Sequence, residues 1–296
     1  MGNQTTKYIY LQNAEKYTCM HLQNGELKND ETKVIVQITY PDGNSYEGEL
    51  KNDERHGFGK MTYKDGSLYV GEWQNGKKNG TGKMTYKDGN FYEGEFQNDM
   101  VSGKGKMTYK NSQLYEGEWQ NGQANGRGKV IYKDGHWYDG EWQNGKIYGR
   151  GKRTSQDGSF YDGEWKNGQQ NGIGKMTYKD SSYYEGEWQN SKRHGHGKFK
   201  YVDGTLYEGE CRNDVANGYG YIKYINGASY KGQFIDNLYW GQGKLIEADG
   251  SFHAGEWQRN QKHGYGFSVY PGGDTIKGYW QFNQLYDIGE THVDPI

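Results

Sequence analysis

Short runs of alternating apolar and polar residues recur along the chain, and glycine- and asparagine-rich turn signals bound each run. In residues 69–91, the run YVGEW places Tyr69, Gly71 and Trp73 on one face and Glu72 on the other, which is the period of a β-strand. An Asn-Gly pair follows, and such pairs favour tight hairpin turns. A second alternating run then ends at an Asp-Gly pair, so the segment predicts one hairpin that leads into the next.

This pattern repeats every 23 residues without insertion or deletion. The string Tyr-Glu-Gly-Glu, or a near copy, begins at residues 46, 69, 92, 115, 138, 161, 184, 207 and 230, with weaker copies at 253 and 276. A Gly-x-Gly signature follows eleven residues later, from Gly57 to Gly264. Spacing this regular predicts a tandem array in which each unit packs on its neighbours.

We therefore expect an all-β protein, an elongated single-layer antiparallel sheet of about twelve tandem hairpins that forms a twisted rod of roughly 110–120 Å. Residues 1–22 are expected to be an N-terminal docking segment and residues 23–45 a degenerate capping repeat. Residues 46–275 hold ten repeats, and residues 276–296 hold a degenerate final repeat and tail. Atypical end units are what the capping of a repeat stack requires.

One face carries a column of large side chains, which we interpret as the structural core of a thin sheet rather than as a ligand groove. The column comprises Trp73, Phe96, Trp119, Trp142, Trp165, Trp188, Phe234, Trp257 and Trp280, interrupted by Cys211. The glycines of the Gly-x-Gly signature are expected beneath aromatic rings, since a Cβ would collide with a ring laid across the strand. A partner helix lying along this face is the alternative.

The opposite face carries a glutamate column from Glu49 to Glu210 and a lysine column from Lys60 to Lys198. One register consistent with the pattern places Trp73 opposite Gly82 and Glu72 opposite Lys83. A slip of two residues keeps every side chain on the same face, so the alternation leaves the register open. Ion pairs between the two columns would add little to the free energy of unfolding, and their main effect would be on solubility.

Composition and charge narrow the class of protein. Hydrophobic residues make up only 32% of the chain while aromatic residues make up 16%, which predicts a thin aromatic core. The formal net charge of −2 argues against a nucleic-acid binder. We interpret Cys19 and Cys211 as free thiols of an intracellular protein, because the sequence carries neither a signal peptide nor an apolar run of membrane-spanning length.

These repeats resemble the MORN (membrane occupation and recognition nexus) motif. The run YEGEWQN at 184–190, the HGHG at 194–197 and the Asp-Gly pair at 203–204 closely follow the family consensus, and the resemblance covers roughly residues 23–289. It implies roles seen across the family, which include cilia and radial-spoke heads, cytoskeletal collars of protists, junctional membrane proteins and appendages of lipid kinases. A long array without an enzyme domain is most similar to the ciliary and cytoskeletal members.

The resemblance implies a non-enzymatic scaffold for protein–protein interactions in a ciliary axoneme, like a radial-spoke head component, or in a cytoskeletal assembly of the cytoplasm. Its expected partners are other proteins of a large assembly, including a second MORN protein or a second copy of this chain. The less favoured alternative is a peripheral membrane adaptor for anionic phospholipids. Gly2 would support that alternative, since the chain begins with the M-G-x-x-x-[ST] pattern of myristoylation.

Each candidate for catalysis or metal binding has a structural explanation that we favour. His56, His194 and His263 occupy one repeat column, without the Cys/His cluster of a zinc site. The Asp-Gly pairs lack the spacing of a calcium loop and are turn residues. The Gly-x-Gly elements lack the lysine of a phosphate loop. We therefore expect no enzyme, no metal and no cofactor.

Departures from the repeat indicate where a partner would bind. Extra bulk gathers in the C-terminal third, and the open edge of the last repeat invites strand pairing. The candidate partner-binding residues are Tyr219, Tyr221, Tyr224, Phe234, Tyr239, Trp240, Tyr279, Trp280 and Phe282.

Overall fold

The computed structural model describes residues 10–13, 16–19, 22–23, 26–27 and 34–287. The chain divides between residues 146 and 147 into two compact units, and each is described by itself. Within the described residues every regular element is a β-strand, so the all-β prediction of tandem hairpins is confirmed.

The first unit contains β1–β14, which are Tyr10–Asn13, Lys16–Cys19, Leu22–Gln23, Glu26–Leu27, Val34–Thr39, Ser45–Lys51, Glu54–Thr62, Leu68–Gln74, Lys77–Thr85, Phe91–Gln97, Met100–Thr108, Leu114–Gln120, Gln123–Ile131 and Trp137–Gln143. The second unit contains β15–β27, which are Lys146–Thr154, Phe160–Lys166, Gln169–Thr177, Tyr183–Gln189, Lys192–Lys200, Leu206–Arg212, Val215–Lys223, Ser229–Ile235, Leu238–Ile246, Phe252–Gln258, Gln261–Val269, Thr275–Gln281 and Gln284–Asp287.

The strands β1 and β2 pair antiparallel, as do β3 and β4, and from β5 onward each strand pairs antiparallel with the next one of its unit. In the first unit this ladder runs from β5 to β14. In the second unit it runs from β15 to β27. A typical repeat therefore contributes a seven-residue strand such as β8 and a nine-residue strand such as β9.

Two kinds of turn join the strands, and both were predicted. Asn75 and Gly76 connect β8 to β9 with φ angles of 51° and 74°. Positive φ at both central residues is what a type I′ hairpin turn demands. The Asp-Gly loop after β9 places Gly89 at φ 89°, and its N–H donates to the Tyr86 carbonyl at 2.9 Å. The turn predictions are thus confirmed.

The register that pairs Trp73 with Gly82 is wrong by two residues. The structure places Gly71 opposite Gly82, Tyr69 opposite Met84 and Val70 opposite Lys83. A Cβ built on Gly71 would lie only 2.5 Å from the Gly82 Cα. The two backbones therefore approach too closely for any residue other than glycine at position 71. The slip leaves each side chain on its predicted face.

A bulge follows the glycine pair and determines the role of the glutamate column. Three residues of β9 stand opposite Glu72, between the Gly71–Gly82 and Trp73–Lys78 pairs. The Glu72 carboxylate accepts hydrogen bonds from the Thr81 N–H at 2.9 Å and from its hydroxyl at 2.5 Å. These bonds hold the Glu72 pKa below its usual value. Glu95, Glu187 and Glu210 accept hydrogen bonds from backbone N–H groups in the same way, so the glutamate column supplies hydrogen-bond acceptors to the backbone.

Removing one of these carboxylates is expected to cost about 1 kcal/mol of unfolding free energy, because Glu72→Ala leaves the Thr81 N–H without its acceptor. Glu72→Gln is the matched control, since Gln233 stands at the equivalent position and its side-chain oxygen accepts from the Gln242 N–H at 3.2 Å. Urea unfolding of the purified variants measures both. An equal loss in both variants would contradict a role as backbone acceptor.

A tyrosine layer forms the centre of the core, and the tyrosine is the ring that covers the glycine. Tyr69 is fully buried, and its hydroxyl donates to the Glu72 carbonyl at 2.9 Å. A Cβ on Gly82 would lie 2.5–2.7 Å from the Tyr69 hydroxyl and ring. Trp73 packs edge-on against Tyr69, at 5.1 Å between ring centroids, and its Nε1–H donates to the Gly59 carbonyl at 3.2 Å. Each tryptophan of the aromatic column thus ties its own repeat to the preceding one.

The first glycine of the Gly-x-Gly signature has a different role from the one expected. Gly80 adopts φ 76°, and a Cβ on it would lie 2.6 Å from a carboxylate oxygen of Glu72 rather than against an aromatic ring. It is needed for the left-handed backbone of the bulge and for the approach of the carboxylate.

Candidate interaction surfaces

Each sheet has two chemically distinct faces. The inner face carries the core tyrosines and the aromatic column, and the outer face carries the charged columns of glutamate and lysine. The two faces offer different chemistry to a partner, aromatic on one side and ionic on the other.

The aromatic column of the inner face lies in the core. Trp73, Phe96, Trp119, Trp165, Trp188, Phe234, Trp257 and Trp280 are buried, and Trp142 is half-buried. Cys211 continues the column as a buried free thiol, and burial raises its pKa. These side chains hold the repeats together and leave little ring surface for a partner.

A second row of tyrosines on the inner face remains partly exposed, and we call it the tyrosine row. It comprises Tyr40, Tyr63, Tyr86, Tyr109 and Tyr132 in the first unit and Tyr178, Tyr201, Tyr224 and Tyr270 in the second. Partial burial raises the phenol pKa of Tyr63, Tyr86 and Tyr109, so these hydroxyls stay protonated. Amphipathic rings of this kind suit a protein interface.

At one position of the repeat, cationic side chains lie beside inner-face rings. The Arg55 guanidinium lies 4.4 Å from the centroid of Trp73, and the Lys78 ammonium lies 5.6 Å from that of Tyr69. In the second unit, Arg193 and Lys262 lie 5.0 Å and 4.7 Å from the rings of Phe199 and Trp280. Burial lowers the pKa of Lys78 and of Lys262. These contacts are cation–π interactions, and the equivalent positions of most other repeats are apolar.

A row of alternating charge crosses the outer face, and we call it the outer charge row. Lys83 pairs with Glu93 at 2.8 Å, Lys175 with Glu185 at 3.0 Å, and Lys198 with Glu208 at 3.1 Å. The partner is the first glutamate of Tyr-Glu-Gly-Glu, not the glutamate column that includes Glu72. Because these side chains are well exposed, each pair adds little to stability.

The structure separates the candidate partner-binding residues into exposed and buried groups. Tyr219, Tyr221, Tyr279 and Phe282 are exposed, and Tyr224 and Trp240 are half-buried. Phe234, Tyr239 and Trp280 are buried. Tyr239 stacks on the core ring of Tyr230 at 3.7 Å and hydrogen bonds to the Tyr224 hydroxyl at 2.5 Å. The three buried rings are therefore not available to a partner.

Sequence reasoning missed a buried polar cluster. His253 replaces the core tyrosine of its repeat and is 2% exposed. Its Nδ1 lies 2.9 Å from the Ser268 hydroxyl, which also accepts from the Lys262 ammonium at 3.1 Å. Burial lowers the pKa of His253 to about 4, and the Lys262 charge adds to this effect. The available signal was the loss of tyrosine and methionine at two core positions of one repeat.

This cluster is closed to substrates, since His253 and Ser268 are both buried. Nowhere in the described part of the chain do three or more His, Cys, Asp or Glu residues gather to hold a metal ion. Among the described residues, no helix combines the length and apolar character needed to cross a membrane. Gly2, the side chain of Cys19 and most of the predicted docking segment lie outside the described residues.

Comparison with known families matches ten consecutive segments to a model described as MORN repeat. The matched segments are 46–68, 69–91, 92–113, 115–137, 138–160, 161–183, 184–206, 207–229, 230–252 and 253–275. No curated protein matches the chain.

Solved structures with some likeness include the TCP10 domain of Danio rerio CPAP, at 11% identity over 83% of this chain and 100% of that one, with a TM-score of 0.29. The TCP domain of Drosophila melanogaster SAS-4, in complex with a proline-rich motif of Ana2, is 14% identical over 66% of this chain and 86% of that one, with a TM-score of 0.26. A virginiamycin B lyase from Staphylococcus aureus is 13% identical over 93% and 88%, with a TM-score of 0.15. Scores this low carry no argument about this chain.

Proposed function

Because the chain belongs to the MORN-repeat family, whose repeats generally mediate protein or membrane interaction, we propose that it is a non-enzymatic scaffold for protein–protein interactions. Its place would be in a ciliary axoneme, like a radial-spoke head component, or in a cytoskeletal assembly of the cytoplasm. Its partners would be other proteins of that assembly, including a second MORN protein or a second copy of this chain.

The observation that carries this proposal is the tyrosine row. It offers partly exposed rings at the same position of many repeats, and the Lys78 ammonium lies 5.8 Å from the ring centroid of Tyr63. Aromatic and arginine side chains are enriched in protein interfaces, where rings bury much area at a small entropic cost. A row with a 23-residue repeat can contact an elongated partner at several points, so weak contacts add up.

The outer face supports a protein partner over an anionic membrane. In most repeats each lysine of the outer charge row faces a carboxylate, as Lys83 faces Glu93 and Lys175 faces Glu185. Attraction to anionic lipid is worth about 1 kcal/mol for each basic residue near the surface, and neighbouring carboxylates cancel much of it.

Replacing two rings of the tyrosine row is expected to reduce the yield of co-purified proteins by about tenfold, the loss typical of removing interface rings. The variant is Tyr86→Ser with Tyr109→Ser, and the fold should tolerate it because Ser155 stands at the equivalent position of another repeat. The matched control is Met100→Ser, which alters an exposed apolar side chain at the start of a strand. Affinity purification of tagged protein with quantitative mass spectrometry measures the yield. Undiminished yield in the double variant would exclude the tyrosine row as the contact.

Two further measurements address location and the membrane alternative. Fluorescence imaging of the tagged protein is expected to place it on a cilium or a cytoskeletal structure, and a diffuse distribution would contradict that. Liposome pelleting is expected to show little binding to vesicles containing phosphatidylserine. Strong, salt-sensitive binding would favour the membrane adaptor instead.

A further inference from the structure

The outer charge row changes character in the second unit. From Lys152 to Glu208 basic and acidic residues stand opposite each other in turn, through Asp162, Lys175, Glu185 and Lys198. Beyond Glu208 the row continues as Tyr221, Lys231, Lys244, Ala254, Phe267 and Lys277. Lysines still occur in this part of the row, but no aspartate or glutamate of the row stands opposite them.

Two lysines oppose each other at this change. Lys231 takes the position that holds Glu185 and Glu208 in earlier repeats, and it stands directly opposite Lys244. Like charges directly opposite on neighbouring strands repel each other. Neither ammonium has an ion pair with a carboxylate among the described residues, and Lys244 lies 3.7 Å from the ring centroid of Phe252. This arrangement leaves positive charge that an anionic group would neutralise.

The three strands around this pair hold no acidic residue. The strands β21, β22 and β23 read VANGYGYIK, SYKGQFI and LYWGQGKLI, with three lysines and neither aspartate nor glutamate. The glutamate column is also interrupted here, since Gln233 replaces it. Tyr219 and Tyr221 stand beside the lysines and are 57% and 39% exposed. We call Tyr219, Tyr221, Lys223, Lys231 and Lys244 the lysine face.

We propose that the lysine face docks an acidic, extended peptide segment of a protein partner, an inference that rests on the proposed scaffold function. The carboxylates of such a segment would take the place of the missing acids and pair with Lys231 and Lys244. The exposed rings of Tyr219 and Tyr221 would pack on its apolar carbons. Charge-assisted hydrogen bonds of this kind are stronger than those between neutral groups.

The width of the lysine face favours a peptide over a bilayer. Glu208 on β20 and Glu256 on β24 bound it on either side. Three strands span roughly 10 Å at the usual strand spacing, so the strip without carboxylates is wide enough for an extended chain and far narrower than a membrane surface. A flat anionic membrane would also meet the bounding carboxylates.

Fluorescence anisotropy of the purified full chain tests the proposal with a short fluorescein-labelled peptide of alternating glutamate and serine. We expect saturable binding that weakens as salt rises, whereas the peptide with glutamine in place of glutamate should not bind. Lys231→Glu should weaken binding by about tenfold, because it restores the acid of earlier repeats opposite Lys244 and repels the probe. Lys192→Glu, the same charge change at the exposed start of β19, should change binding less than about twofold.

Equal binding of the two peptides, or equal effects of Lys231→Glu and Lys192→Glu, would overturn the proposal. The proposal would also be overturned if the peptide did not bind while phosphatidylserine vesicles bound in a way that depends on Lys231. Lys231→Glu removes a like-charge pair, so its thermal unfolding should confirm an intact fold. Co-purification with the Tyr86 and Tyr109 variant tests the scaffold function separately, since it changes the inner face of the other unit.

Discussion

Gly82→Ala is expected to lower the unfolding free energy by about 3 kcal/mol, the upper range for overpacking a core. The new Cβ would lie 2.5 Å from the Tyr69 hydroxyl and 2.7 Å from its ring carbons. The tyrosine has no room to retreat, since its hydroxyl is bonded to the Glu72 carbonyl and its ring packs against Trp73 and Phe96 at 5.1 Å and 5.0 Å. Urea unfolding followed by tryptophan fluorescence measures the loss.

Gly76→Asp provides the matched control for this substitution. Gly76 has no atom within 4 Å of a built Cβ, and Asp99 occupies the equivalent turn position of the next repeat at φ 68°. The Asp99 carboxylate accepts the Lys78 N–H at 2.9 Å, so an aspartate at position 76 should be neutral or slightly stabilising. A similar loss at both glycines would mean that backbone entropy, rather than collision with the ring, sets the cost.

Acidification from pH 7 to pH 4 is expected to remove about 3 kcal/mol of stability through His253 alone. Burial lowers its pKa from the ordinary 6.5 to about 4, so the unfolded chain binds a proton more readily than the folded one. The contribution is complete above about pH 6.5 and is lost as the pH falls towards 4. The neighbouring Lys262 charge acts in the same direction, and Glu247 lies close enough to partly offset the low pKa of Lys262.

The double variant His253→Tyr with Ser268→Met isolates this effect, because it restores the residues that other repeats carry at these positions, such as Tyr69 and Met84. Subtracting its pH profile from that of the native chain removes the contribution of the surface carboxylates. We expect the two unfolding midpoints to diverge steadily below pH 6.5 in thermal melts. If the unfolding midpoints of the two proteins changed with pH in parallel, protonation of His253 would not be coupled to unfolding.

The strands and turns were predictable because the same strand and turn pattern occurs in ten repeats with a constant spacing. The register was not, because alternation defines only the face of a side chain and a slip of two residues preserves it. What selects the register is the close approach of Gly71 to Gly82, together with a bulge that needs a left-handed Gly80 and the Glu72 carboxylate. The sequence shows these residues but not the backbone geometry that joins them.

The candidate surfaces were predictable only in part. Period-2 alternation assigns Trp280 and Tyr224 to the same face, but it does not show that Trp280 is buried while Tyr224 is half-buried, since burial depends on which neighbours cover each ring. The lysine face did have a sequence signal, the absence of acidic residues from Val215 to Lys231. Its meaning emerged only once the pairing placed Lys231 opposite Lys244.

The hairpin turns carry a consequence for how the protein is made. The second turn residue of one repeat donates its N–H to a carbonyl of the repeat before it, as Gly76 does to Arg55 at 3.0 Å and Asp99 does to Lys78 at 3.0 Å. In the second unit Asp214 and Asn237 do the same to Arg193 and Ala216. Each hairpin therefore docks on residues that were synthesised shortly before it. Such a chain can fold by sequential addition during translation, without waiting for its C-terminus.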